Sequence, residues 1–165
     1  VQRLKLHSAM DVALTRQIAR VPGPRSGEQA FDDWASVLTQ RDLLGSVFED
    51  VANGQFSDRD LNRFVEWNRH RLDQLSSALA GDSEADAALD PEDDALLLRA
   101  WQLRVGPLPG RSGRPLHYRH IAIDEVQDFA PIEVRVLLGS MQRDSSITLA
   151  GDTQQHLMEH SGFTS

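Results

Sequence analysis

Two short runs hold the residue types that chemistry needs. Residues 123 to 128 read IDEVQD and residues 148 to 155 read TLAGDTQQ, so acidic and amide side chains stand at the ends of two apolar stretches. A carboxylate directly after a buried apolar strand is placed to hold Mg²⁺, largely through water, while the metal bridges nucleotide phosphates. Asp124 fits that task. Glu125, one residue later, points elsewhere because the chain has left the sheet, and can polarise an attacking water. Gln155, three residues after Asp152, offers an uncharged donor and acceptor that could sense a γ-phosphate or orient that water. The three roles are metal holder, base and sensor.

The flanking patterns predict the elements that position these residues. Tyr118 to Ile123 (YRHIAI) predicts a short buried strand, with Asp124 and Glu125 where it leaves the sheet. Ser146 to Ala150 predicts a second strand, ending at Gly151-Asp152. Between them, Pro131 to Met141 carries Ile132, Val136, Leu137 and Met141 at helical spacing, and Pro131 suits the first helical turn. Strand, helix and strand make a parallel pair whose site lies at the strands' C-terminal ends.

IDEVQD followed by AGDTQQ resembles motifs II and III of superfamily 1 helicases of the UvrD/Rep type. The resemblance implies that Asp124 is the Mg²⁺-coordinating Asp of a Walker B motif and Glu125 the catalytic Glu, with Gln127 and Asp128 completing the DExQD signature. Asp152 and Gln155 match the GDxxQ motif, which in that family couples the γ-phosphate to movement between RecA-like domains. By this likeness ATP and Mg²⁺ are the cofactors, Glu125 and Gln155 are catalytic, and Asp124, Gln127, Asp128 and Asp152 bind the nucleotide and its metal. It covers about residues 116 to 155, roughly a quarter of the chain. UvrD-type proteins usually continue with an aromatic-rich stretch that stacks on single-stranded DNA, whereas this chain continues HLMEHSGFTS from His156 to Ser165. That ending is more like the helicase IV or HelD-like branch, whose bacterial members include ATPases acting on RNA polymerase.

Plainer readings stand beside these. A lone Asp-Glu after a strand is commonly a solvated turn, and it is the second motif, at the right separation on a second strand end, that favours helicase-type ancestry. Gln154 is expected to face solvent, and His120, His156 and His160 to be surface or core histidines. His156 and His160 have the i, i+4 spacing of a helical metal pair, but no Cys or third partner accompanies them.

The chain contains no GxxxxGK[ST] phosphate loop, and its only lysine, Lys5, lies in no glycine-rich setting. Without backbone N–H groups and a lysine on the β- and γ-phosphates, a DExxD loop has metal and base but no phosphate cradle. The isolated chain is therefore expected not to hydrolyse ATP efficiently. Starting at Val1 and stopping at Ser165, it reads as a piece of a longer ATPase, with the phosphate loop upstream and a second RecA-like domain with its arginine finger downstream.

A length of 165 residues with 40 % hydrophobic content suits one domain or a small pair. No run reaches the apolar length of a membrane span and no signal peptide is visible, and a cytoplasmic location is expected. The absence of cysteine excludes disulfides and thiolate-bound zinc. The net charge of −8 argues against these residues alone gripping a phosphate backbone. Charge is uneven: residues 81 to 94 hold seven acids and no base, and residues 95 to 123 hold five arginines and no acid. The acidic stretch is most simply a solvated linker, with partner docking the alternative. The Gly- and Pro-rich GPLPGRSGRPLHYR predicts a loop that either touches nucleic acid or keeps itself soluble.

Upstream, helical patterns dominate. Leu4 to Arg20 predicts a helix broken by VPGPRSG at 21 to 27. Two more span Glu28 to Asn53, with Phe31, Trp34, Leu38, Leu44, Val47, Phe48 and Val51 inward and Thr39 to Asp42 capping a restart. Ser57, with Asp60 three residues on, starts a helix whose stripe runs through Leu61, Phe64, Val65, Leu72, Leu75 and Leu79 to Gly81. Asp90-Pro91 starts another, carrying Leu96, Leu97, Leu98 and Trp101. Such a block before the Walker B strand resembles the 1B subdomain that superfamily 1 helicases insert into their first RecA-like domain.

The predicted fold class is α/β: a partial RecA-like parallel sheet of P-loop NTPase type preceded by a mostly helical subdomain. Residues 1 to 105 form the helical, 1B-like block and residues 106 to 165 part of the RecA-like domain 1A. The expected function is that of a fragment of an ATP-dependent superfamily 1 helicase or translocase. Its partners in the parent protein would be single-stranded DNA or a duplex junction, or RNA polymerase, with no membrane. One rival is a non-enzymatic interaction module or polymerase-associated remodelling ATPase; another is a Mg²⁺-dependent nuclease using Asp124, Glu125 and Asp128. An incomplete sheet with open edges also predicts that the fragment self-associates.

Overall fold

A computed structural model of the chain describes residues 2–52, 56–79 and 91–151. In chain order the helices are α1 (Gln2–Arg20), α2 (Gly27–Thr39), α3 (Arg41–Ala52), α4 (Asp58–Leu79) and α5 (Pro91–Arg104). Then come β1 (Tyr118–Ile123), a 3₁₀ turn (Val126–Asp128), α6 (Pro131–Gly139) and β2 (Met141–Leu149). The architecture is α/β, mostly helical, with a two-stranded parallel sheet.

Local chemistry sets most of these boundaries. Ser26 caps α2 by accepting the Gln29 amide at 3.2 Å. At the start of α4, Ser57 and Asp60 form a reciprocal box: Asp60 N–H donates to Ser57 Oγ at 3.2 Å and Ser57 N–H donates to Asp60 Oδ2 at 3.3 Å. Between α2 and α3 the expected cap is absent. Thr39 Oγ1 instead donates to the Ala35 carbonyl at 2.9 Å, so its hydroxyl serves the end of α2 and leaves the start of α3 uncapped by it. The expected cap at Asp90 lies outside the described residues.

The buried centre belongs to the helices. Leu14, Trp34, Val37, Leu44 and Val47 are fully enclosed, and Ile132 of α6 joins the same core. Enclosing an isoleucine side chain contributes about 1.5–3 kcal/mol, so α6 is anchored to the block formed by α1 to α5. Polar contacts fix its placement. Gln102 of α5 donates through Nε2 to the Val136 carbonyl at 2.8 Å, and Asp11 of α1 accepts from Arg99 Nε at 2.8 Å and lies 3.6 Å from Arg135 Nε.

The strands depart from expectation in burial and length. β1 occupies the predicted residues, but only Ile123 is buried, because β2 is its one partner among the described residues and neither sheet face is covered along its length. β2 begins at Met141, not Ser146, and α6 stops at Gly139, short of the predicted Met141. Ser140 ends the helix, its N–H donating to the Leu137 carbonyl at 3.0 Å, and Met141 then pairs with Tyr118. The register jumps between that pair and His120↔Ser146, leaving extra residues on the β2 side, after which Ile121↔Ile147, Ala122↔Thr148 and Ile123↔Leu149 follow regularly.

Candidate functional site

The IDEVQD loop leaves the C-terminal end of β1 in a shape set by one residue of the neighbouring strand. Ala150, just past β2, donates its N–H to the Ile123 carbonyl at 2.8 Å and accepts from the Val126 N–H at 3.0 Å. Asp124 and Glu125 are the two residues between those ladder bonds, so they are pushed out of the sheet and both are exposed. Closing so tight an excursion requires a left-handed residue, and Glu125 supplies it with φ 49° and ψ 46°. That is the only positive φ at a non-glycine position among the described residues. A left-handed conformation costs an L-residue roughly 1–2 kcal/mol, and such outliers gather where side-chain placement matters more than stability.

Hydrogen bonds then order the loop from within. Asp124 Oδ1 accepts the Glu125 N–H at 3.0 Å, and the Asp128 N–H donates to the Glu125 carbonyl at 2.8 Å, which winds residues 126 to 128 into the 3₁₀ turn. Gln127 is buried beneath that turn, at 4 % exposure, and its Nε2 donates to Glu125 Oε2 at 2.5 Å. Its Oε1 has no hydrogen-bond partner among the described residues. After Phe129, α6 starts at Pro131, and the Glu133 carboxylate accepts the Ala130 N–H at 2.6 Å.

The chain leaves β2 beside this loop. A Cβ on Gly151 would lie 2.4 Å from Gln127 Oε1, 2.9 Å from Val126 Cγ1 and 3.2 Å from the Val126 nitrogen, so glycine is what permits this approach. Gly151 therefore packs against the side chain of Gln127, at the same end of the parallel pair as Asp124 and Glu125. Asp152 and Gln155, together with Gln154, His156 and His160, lie outside the described residues.

The arrangement can present two exposed carboxylates on adjacent residues, one engaged with its own turn and one with Gln127. Asp124 has one oxygen committed to the Glu125 amide, which leaves the other for a hydrated cation. Asp128 is exposed and contributes its backbone to the turn. Among the described residues no group of three or more His, Cys, Asp or Glu side chains could hold a metal ion, so Asp124, Glu125 and Asp128 do not converge as the nuclease alternative requires. His120 lies exposed on the sheet, with Nδ1 2.7 Å from Ser146 Oγ and Nε2 3.3 Å from Thr148 Oγ1, as a surface histidine held across the strands. No helix among the described residues is long and apolar enough to cross a membrane.

Sequence pattern identified the loop residues but missed Ala150 and Gly151 as its organisers. The signal for Gly151 was present, since a glycine at a strand end beside a second strand end marks a close backbone approach. Nothing in the sequence distinguished Ala150. Compared with protein-family models, curated proteins and solved structures, the chain matches none.

Proposed function

We propose that these residues supply the hydrolysis loop of an ATP-driven motor of the superfamily 1 helicase type, in which β1 and β2 belong to a RecA-like sheet and α6 is the helix that connects them. The observation that carries the reading is the extrusion of Asp124 and Glu125 between two ladder bonds to Ala150, with Glu125 left-handed, at the C-terminal end of a parallel strand. That is where ligands sit in open parallel sheets. In this reading Asp124 holds Mg²⁺, whose charge offsets that of the phosphates. Glu125 accepts a proton from the attacking water, and Gln127 keeps its carboxylate aimed. Asp152 and Gln155 would act on the γ-phosphate, and the phosphates would be cradled by residues outside these 165, since no phosphate loop is among them.

The net charge of −8 favours a protein partner over a nucleic-acid backbone for this stretch of the motor. Single-stranded nucleic acid would then be gripped elsewhere in the parent protein, or the motor would remodel a complex such as RNA polymerase.

The test is steady-state ATPase on the parent protein, wild type against Glu125→Gln, with and without single-stranded DNA. Turnover is expected to fall by roughly 10²–10⁴-fold with binding of a non-hydrolysable ATP analogue retained. Stimulation by DNA would mark a translocase. A folded wild type without turnover would overturn the enzymatic reading in favour of an interaction module.

A further inference from the structure

We infer that Gln127 is a positioning residue that couples Glu125 to the backbone at Gly151, an inference that rests on the hydrolysis reading above. Two observations meet in one side chain. Its Nε2 donates to Glu125 Oε2, so the amide fixes the carboxylate that projects from the left-handed residue. Its Oε1 occupies the space that a Cβ on residue 151 would need, 2.4 Å from where that atom would stand, and has no partner among the described residues.

A primary amide has one end that donates and one that accepts, and the two are rigidly coplanar. A shift of the Gly151 backbone therefore turns the Gln127 amide, and turning the amide moves or releases the Glu125 carboxylate. Gln127 thus converts the position of the Gly151 backbone into the aim of the base.

The coupling is tested on the parent protein with Gln127→Met, which keeps length and burial but removes both hydrogen-bonding ends, and with Gly151→Ala, whose Cβ would displace the amide oxygen. Both are expected to lower kcat by on the order of 10²-fold while leaving KM for ATP and analogue affinity within about twofold of wild type. Glu125→Gln combined with Gln127→Met should lose little more than Glu125→Gln alone, because the second change acts through the first. The side-chain amide protons of Gln127, followed by NMR in the 165-residue chain, should be protected from exchange and lose protection in Glu125→Ala. Wild-type kcat in Gln127→Met, or equal losses in kcat and analogue affinity, would overturn the inference and leave the hydrolysis reading standing. A wild-type parent without turnover would overturn both.

Discussion

Arg104 reaches from α5 to α2 and holds Asp33 with both sides of its guanidinium, Nε at 2.6 Å from Oδ2 and Nη2 at 2.9 Å from Oδ1. The pair is nearly sealed from solvent, with side-chain exposures of 6 % and 0 %, and Nη2 also donates to the Val21 carbonyl at 2.9 Å. It therefore ties the residue that follows α1 and the middle of α2 to the helix that docks α6.

Breaking this pair should be severe. Asp33→Ala leaves a buried guanidinium without its counter-charge, a loss of about 3–5 kcal/mol, measurable by urea denaturation of the chain. Replacing both partners with apolar residues of similar volume should recover much of it. Donating to the Asp33 carboxylate raises the Arg104 pKa above its ordinary value, outweighing desolvation. A raised cation stabilises fully below its unfolded value and loses that contribution only as pH rises through the folded value, so Arg104 adds no pH dependence near neutrality. A loss under about 1 kcal/mol in Asp33→Ala would mean that water reaches Arg104.

The start of α4 should respond to acid. The side-chain hydrogen bond from Ser57, followed by its backbone bond, holds Asp60 below the ordinary 3.8. A depressed carboxylate contributes stability above its unfolded pKa and loses it as pH falls through the lower folded value. Amides in the first turn of α4 are expected to exchange faster in that window below 3.8. Ser57→Ala should return the Asp60 titration toward 3.8 by carboxyl NMR. An unmoved midpoint would show that the box does not form in solution.

Glycine should be the better residue at position 125 for stability and a poor one for turnover. Glu125→Gly and Glu125→Ala both lose the bond from Gln127, but only alanine retains the left-handed strain. Glu125→Gly is therefore expected to be more stable than Glu125→Ala by about 1 kcal/mol, the reverse of the usual order in regular structure. Thermal melting of the two variants checks this, and alanine melting at or above glycine would remove the case for strain.

Self-association should accompany the open sheet. β1 and β2 pair only with each other among the described residues, so each presents an edge of unpaired backbone groups. Sedimentation velocity of the 165-residue chain is expected to show dimers growing with concentration. A monomer across a hundredfold range would contradict it.

Sequence alone determined the helices and the chemical character of the loop, because both depend on near neighbours. The periodic placement of Trp34, Val47 and Leu61 marked the core faces, and Ser57 with Asp60 marked a helix start that the hydrogen bonds reproduce. IDEVQD declared two carboxylates at a strand end by residue type alone. Tertiary structure decided what no local pattern contains. Ala150 places its two backbone groups on either side of Asp124 and Glu125, Gly151 packs on Gln127, and Ile132 ties the site helix into the upstream block. The strand expected to be buried is largely open, since burial depends on what covers a sheet and not on the apolar run within it. Those contacts join residues far apart in the chain, and their geometry is set by the register of β1 against β2, which side-chain periodicity leaves free when a strand is exposed on both faces.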